Sequence, residues 1–426
     1  MKSPFPLKLS TVVAALSLLL AACGPSANIA RSDLQRVTSP EVSADEIRSA
    51  TDNNNAFALD LYQSLRARNG NLIYSPYSIS VALAMTYAGA RGETESQMAQ
   101  TMHFLPQNKL HSALNALDLD LAKRGEAQSE EETPLQLNIA NAVWAEQTFP
   151  FLKDFLDVLA QNYGAGIQLA DFMNQSEAVR KEINGWVSEK TNDKIQDLIP
   201  RGVLDSATKM VLVNAIYFKA DWVHPFDPNE THDAPFHLLD GSEVQVEMMY
   251  QSLSGIPYIQ GDGYQAVELP YQGQSAAMDI ILPDEGKFSE FESTFDAQKL
   301  NAILGGMQPG GALDLGLPKF SFTTDFDLKD RLTSLGMTDA FDPGRADFSG
   351  MTGEKDLYID AVLHKAFVAV DEKGTEAAAA TAVVMKLTSA MPPGTSLIID
   401  RPFIFVIRDL PSGQILFVGR VLDPTE

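Results

Sequence analysis

A chain of 426 residues with 32 Lys and Arg against 56 Asp and Glu carries a formal charge of −24. Such an excess argues against nucleic acid or an anionic lipid surface as the partner. The single cysteine excludes an intrachain disulfide and a thiolate zinc site.

In chain order, the first segment reads as a leader. Lys2 and Lys8 make a basic start, and the run from Leu9 to Ala22 is apolar apart from Ser10, Thr11 and Ser17. It is too short to span a bilayer comfortably and has the layout of a secretory signal. It ends in Leu20-Ala21-Ala22-Cys23, which is similar to a bacterial lipobox, where small residues fit the signal peptidase and the thiol receives the lipid. An ordinary signal peptide that happens to contain Cys is the alternative. Removal of residues 1–22 leaves 30 basic against 56 acidic side chains, or −26. Acyl chains on Cys23 would hold the protein at a membrane without a transmembrane helix. Gly24 after that cysteine leans towards an outer membrane, so the expected place is the cell envelope, facing the periplasm or the exterior. Residues 23–50 are expected to be lipid anchor and flexible tether, because residues 24–50 are polar and lack a sustained apolar period. Residues 51–426 hold no Pro/Gly/Ser linker and no fixed-period repeat, and are expected to form one domain.

Helices come first in that domain. The stretch from Asn53 to Arg68 places Phe57, Leu61 and Leu65 on one face. Ser75-Pro76 opens a second helix, the hydroxyl capping free amides and the proline suiting the first helical position. From Val81 to Tyr87 it is apolar nearly all round, which marks a buried helix. Helix restarts at Gly92-Glu93-Thr94 and again from His111 to Lys123, and the stretch from Ser176 to Lys190 is amphipathic. Strand character shows from Leu135 to Trp144 and dominates beyond residue 205: 210–218, 244–248, 267–270, 277–282, 313–322, 398–408 and 415–421. This order indicates an α+β fold with largely antiparallel sheets, not a doubly wound nucleotide-binding fold.

Enzyme signatures are missing. There is no G-x-S-x-G elbow, P-loop, HExxH helix or G-x-G-x-x-G turn. The six histidines include His232 and His237 beside Asp233, a pattern that a metal could use but that a surface strand or loop explains as well. A scattered hydrolase triad is favoured by nothing here.

The informative segment runs from Val368 to Val384. Its alanines suggest a helix taken locally. Against that, β-branched Val368 and Val370 lead in, Gly374 interrupts, and Thr381, Val383 and Val384 follow. With strand periodicity, Thr375, Ala377, Ala379, Thr381, Val383 and Met385 share a face that is small or apolar throughout. The charges Glu376 and Lys386 fall on the other face, with Ala378, Ala380, Ala382 and Val384. Such a segment can be exposed in one state and buried inside a sheet in another.

The run Glu372-Lys-Gly-Thr-Glu-Ala-Ala-Ala-Ala-Thr381 resembles the hinge of the reactive-centre loop in inhibitory serpins. Asn71-Leu-Ile-Tyr-Ser-Pro-Tyr-Ser-Ile-Ser80 and Asn214-Ala-Ile-Tyr-Phe-Lys-Ala-Asp-Trp222 also resemble family segments. So do Leu317-Pro-Lys-Phe320, Leu363-His-Lys-Ala366, and the ending from Arg401-Pro-Phe-Ile-Phe405 to Gly419-Arg-Val-Leu-Asp-Pro424. The resemblance implies the serpin fold, with three mostly antiparallel sheets, about nine helices and an exposed loop over roughly 372–397. It implies an irreversible suicide inhibitor of serine, and conceivably cysteine, endopeptidases: the protease cleaves the loop, is acylated, and is carried off as the cut loop inserts into the central sheet.

By the same pattern Ser75, Ser78, Asn214 and His364 would form a shutter beneath the sheet. Trp222 and the Lys319–Glu372 pair would mark the breach where insertion begins, although that pair could equally be an ordinary surface ion pair. Glu372, Gly374, Thr375, Glu376, Ala377, Ala378, Ala379 and Ala380 would be the hinge, with Gly374 as its pivot. The family's loop length puts the scissile bond at Thr388–Ser389, which suits an elastase-like protease, while cleavage after Met385, Lys386 or Leu387 stays open. Lys123-Arg124 lies where some members bind heparin, but acidic residues follow at once, so no cofactor is expected. The expected partners are an extracellular or periplasmic serine protease and a membrane reached through the anchor, with the protein itself a monomer. The alternative is a non-inhibitory serpin acting in binding or structure, whose inserting face would be expected to carry charged or bulky residues.

Overall fold

The computed structural model describes residues 28–125, 135–375 and 395–426. Among these, ten α-helices pack around three sheets. The largest orders β1 (Asn28–Ala30), β4 (Ile167–Ala170), β3 (Gln136–Glu146), β5 (Met210–Asp221), β15 (Gly374–Thr375), β14 (Ala361–Val370) and β13 (Phe320–Asp327). A second orders β11 (Gln308–Pro309), β8 (Pro257–Gly261), β9 (Tyr264–Pro270), β10 (Ala276–Pro283), β17 (Phe403–Asp409), β18 (Ile415–Val421) and β2 (Leu72–Tyr74). The third, of four strands, orders β16 (Thr395–Ile398), β12 (Ala312–Pro318), β7 (Glu243–Ser254) and β6 (His232–His237).

Helices α1 (Ala44–Leu65), α2 (Pro76–Tyr87), α3 (Gly92–Thr101), α4 (Gln107–Arg124), α5 (Lys153–Tyr163) and α6 (Phe172–Lys190) precede most of the strands. Four short ones follow: α7 (Phe288–Ser293), α8 (Ala297–Gly306), α9 (Lys329–Ser334) and α10 (Ser349–Thr352). α2 starts as its residues dictate. The Ser75 side chain accepts from the Ser78 amide, Pro76 takes the first helical position, and all but one of its residues are buried.

The largest sheet is covered on both faces, which is why β5 reads from Met210 to Phe218 as an apolar run broken only by Asn214. Val211, Val213, Ala215, Ala361 and Leu363 pack with Val179, Ile183 and Val187 of α6. Ile216, Phe218, Ala220, Val368 and Val370 turn the other way, onto Phe405, Phe417 and Met278 of the second sheet. Along β5 and β14, even-numbered side chains therefore point to the core and odd-numbered ones to α6.

Two expectations are corrected. Residues 28–50 are not tether: β1 pairs antiparallel with β4, and α1 begins at Ala44 behind a Ser43–Glu46 capping box. No apolar period announces residues 28–43 because polar contacts hold them. Ser32 donates to Asp157, and Arg36 donates to Asn115 at 2.8 Å and pairs with Asp118 at 2.6 Å. The stretch 313–322 is two strands in different sheets, since the chain turns at Pro318-Lys319 from β12 into β13. The three sheets are as expected, and the ten helices among the described residues agree with the expected number of about nine.

Candidate functional site

β5 and β14 are the two central strands of the largest sheet, and they run parallel. Val211 pairs with Ala361 and the register holds to Tyr217 with Phe367. Each is antiparallel to its outer neighbour, β3 and β13 respectively. Above Tyr217 the two part, and β15 sits between them, antiparallel to both: Thr375 faces Ala220 on one side and Val370 on the other. A strand in this slot exchanges one parallel pairing for two antiparallel ones, which hydrogen-bond somewhat better per residue.

The slot is shaped for this segment. A Cβ on Gly374 would lie 2.1 Å from the Ala220 carbonyl oxygen, so no side chain fits there. Glycine is needed for close approach, and its backbone freedom, the expected reason, is secondary. Thr375 is 1 % exposed and its hydroxyl meets that of Tyr271 at 2.6 Å. Trp222 stacks on Tyr271 with centroids 4.5 Å apart and donates from its indole N–H to the Asp371 carbonyl at 3.1 Å. The Trp222 and Phe226 amides donate to the carbonyls of Lys373 and Glu372. Lys319 lies 3.5 Å from Glu372 and 3.3 Å from Glu247, and Thr231 donates to Glu372 at 2.9 Å. The structure thus brings Trp222, Lys319, Glu372, Gly374 and Thr375 together. Burial holds the Asp371 carboxyl above its usual range, although it accepts from the Lys373 and Gly374 amides.

Midway down the seam lies the second cluster. Ser75, Ser78, Asn214 and His364 are all 0 % exposed. Asn141, Asn214 and His364 form one row across β3, β5 and β14. The Ser75 amide donates to His364 Nε2 at 3.2 Å, so Nδ1 carries the proton and donates to Asn214 Oδ1. Asn214 Nδ2 donates to Ser78 Oγ at 2.5 Å and to Asn141 Oδ1. Ser78 Oγ donates to Asn141 Oδ1, and Asn141 Nδ2 donates back to the Ser78 carbonyl, both at 3.0 Å. Burial pushes the His364 imidazole down to about 3, so it is neutral at physiological pH. Asn141 was not expected from sequence. Its signal is that Ile139, Val143 and Ala145 share its side of β3, leaving it the one polar residue among core-facing neighbours.

Cys23, Glu376, Ala377, Ala378, Ala379, Ala380, Thr388 and Ser389 lie outside the described residues. His232 stacks on Tyr250 and His237 lies 3.3 Å from Glu243, and among the described residues no group of three His, Cys, Asp or Glu could hold a metal. Lys123 and Arg124 are paired with Asp120 and Asp409.

Known proteins share this architecture. The family model described as "Serpin (serine protease inhibitor)" matches residues 52–424. A leukocyte elastase inhibitor of Sus scrofa is 42 % identical over 383 residues, covering 87 % of this chain and 98 % of that one. Among solved structures, uncleaved ovalbumin superposes with a TM-score of 0.80 at 27 % identity, over 88 % of this chain and all of that one. The thermophilic serpin tengpin in its native state gives 0.79 at 32 % identity, over 92 % of this chain and 97 % of that one. The chain therefore belongs to the serpins, the family of serine protease inhibitors, and is an inhibitor rather than an enzyme.

Proposed function

We propose that this protein irreversibly inhibits an elastase-like serine protease by inserting its cleaved loop into the largest sheet. The observation that carries the reading is the hinge wedged at Gly374–Thr375 between the parallel strands β5 and β14. Continuing its register down the seam sets Ala377 against Phe218 and Val368, and Ala379 against Ile216 and Ala366. Thr381 then arrives opposite Asn214 and His364, so the one polar core-facing residue of that run meets the polar row. Val383 comes opposite Leu212 and Val362. Every core-facing position from 377 to 383 is matched in polarity by its register partners, and the Thr375 hydroxyl is met by that of Tyr271.

Insertion is favourable enough to be irreversible. Fourteen residues from Thr375 to Thr388 extend over roughly 46 Å. About ten new hydrogen bonds at about 1 kcal/mol net each give on the order of 10 kcal/mol, comparable with the stability of many whole domains. The uninserted state is then a kinetic trap. The elastase inhibitors among its relatives favour cleavage at Thr388–Ser389, after a small side chain. The lipobox-like Leu20–Cys23 supports an acylated Cys23 that holds a monomeric inhibitor at the cell envelope, on an outer membrane where one exists.

Mixing the protein with a pancreatic or leukocyte-type elastase should give an SDS-stable adduct whose released peptide begins at Ser389. Nicking the loop near Thr388 with a non-target protease should raise the unfolding temperature by tens of degrees. Clean cleavage without adduct across a panel of serine proteases, together with an unchanged melting curve, would remove the inhibitory reading.

A further inference from the structure

The strand registers fix which pole of the body the anchor reaches. β1 is antiparallel to β4, β4 is parallel to β3, and β3 is antiparallel to β5, so β1 and β5 run the same way. Asn28 pairs with Leu169, Leu169 with Ala145, and Ala145 with Met210, which places Asn28 level with the start of β5. The hinge lies at the other end of that strand, opposite Ala220 and Asp221. Twelve residues of β5 separate the two levels by about 36 Å. The chain therefore comes to the body from beneath the pole opposite the reactive loop.

Only five residue steps separate Cys23 from Asn28, and a chain of that length reaches at most ~18 Å. A leash so short cannot let a body of this size turn freely above a membrane. The pole it reaches also differs from the rest of the surface. Of the six large hydrophobic side chains exposed among the described residues, three lie there: Ile29 at 40 %, Leu152 at 41 % and Met173 at 49 %. The Met173 amide and the Phe149 amide both bond Glu146, the last residue of β3, which fixes these loops at that end.

We propose, resting on the anchor reading above, that this pole lies against the lipid surface holding Cys23, and that the loop is displayed at the membrane-distal pole. One consequence follows for inhibition. Insertion along the seam carries the protease towards the Met210 end, that is, towards the membrane. A protease of about 200 residues is about 40 Å across, larger than the ~18 Å leash allows beneath an upright body. Trapping at the membrane then requires the body to tilt, and leash length becomes a determinant of efficiency.

The test uses the full lipidated chain in phosphatidylcholine vesicles containing a headgroup-level nitroxide lipid. With the Cys23 sulfur acylated, a cysteine introduced elsewhere is the only free thiol for a fluorophore. Labels at Leu152→Cys and Met173→Cys should be quenched at least threefold more than one at Asn229→Cys, beside the hinge; equal quenching, or stronger quenching at Asn229→Cys, overturns the proposal. Burial of the Leu152→Cys label without vesicles, rising with protein concentration, would assign the face to a second copy and also overturn it. A Gly/Ser spacer of about 20 residues between Ala27 and Asn28 should at least halve the inhibitor consumed per trapped protease on vesicles, yet change nothing in a soluble Cys23→Ser chain. An unchanged stoichiometry on vesicles counts against the orientation. Mass spectrometry separates the two readings: unacylated Cys23 removes the anchor itself, whereas acylated Cys23 with uniform quenching removes only the orientation.

Discussion

At the Trp222 end of the seam the central strands are already parted, and what holds the hinge is backbone hydrogen bonding, a stacked aromatic pair and ion pairs that reach solvent. Midway down, Ser75, Ser78, Asn214 and His364 are sealed from solvent and only Asn141 is half-buried. Every polar side chain there is neutral and bonded to a neighbour across the sheet or to the start of α2. The ion pairs of the upper region can exchange their contacts for water at little cost. The lower one cannot separate without leaving buried donors and acceptors unmet. The comparison assigns different duties: the breach sets where insertion starts, and the shutter sets how readily the seam opens further.

The sharpest way to break the comparison is to let insertion start and then stop it. Ala379→Arg puts a charge on the core-facing side, at the position whose register partners are Ile216 and Ala366, both 0 % exposed. An unpaired charge there costs several kcal/mol at the point that insertion must pass, before the lower hydrogen bonds of the inserted strand have formed to offset it. The variant should be cut as a substrate, with the stoichiometry of inhibition rising at least tenfold and the SDS-stable adduct lost. Glu376→Arg faces the opposite side, where its register partners Lys219 and Ala369 are only half-buried at the upper end of the seam, and should retain most of the inhibition. Equal damage from both would deny the period-two register.

The next effect lies in the shutter. His364→Asn removes the acceptor of the Ser75 amide and alters the donor to Asn214. Leaving such groups unmet costs about 1–3 kcal/mol, which makes spontaneous loss of inhibitory activity roughly 5- to 150-fold faster on warming. The pH response follows from the imidazole. Its folded value of about 3 lies below the ordinary 6.5. Above pH 6.5 both the folded and the unfolded state are neutral, so nothing is linked to pH. Below it the unfolded state takes up a proton that the folded one refuses. Stability is therefore lost as pH falls from 6.5 towards 3, by up to about 1.4 kcal/mol per pH unit. His111, pushed down to about 4 by burial, acts in the same direction. The measurement is thus the difference in denaturation slope between wild type and His364→Asn over pH 4–6.5, where the variant should be the flatter.

Much of this molecule was legible before its structure, for reasons that differ along the chain. From Thr375 to Lys386 the charges, Glu376 and Lys386, share one period-two face, and that segregation is readable without the partner strands; so the inserting face could be named while the slot, and the 2.1 Å approach of Gly374 to Ala220, could not. Ser75, Ser78, Asn214 and His364 came from resemblance, and only the row across three strands explains why Asn141 joins them. Residues 28–43 stayed hidden because a three-residue strand and a few polar contacts leave no period to detect. Pro318-Lys319 was passed over because both flanks are strand, and the change of sheet is a tertiary event. The scissile bond and the anchor rest on sequence alone.

The smallest effect belongs to Lys319, and its size is what makes it informative. Its ammonium sits between Glu247 and Glu372 at 3.3 and 3.5 Å, with its side chain 29 % exposed and that of Glu372 17 % exposed. A pair in such a setting is worth about 0–1 kcal/mol, so Lys319→Met should change the association rate constant with the protease, read from progress curves, by no more than about fivefold. Thr231 keeps its bond to Glu372 and limits the change further. If the pair gates the breach electrostatically, 1 M salt, with a screening length of about 3 Å, should move wild type towards the variant and leave the variant itself unmoved. If the lysine serves only to pack its stem, salt will shift both alike. A tenfold or larger effect would mean that the solvated end of the seam, and not the buried middle, controls opening, and the division of duties between breach and shutter would have to be reversed.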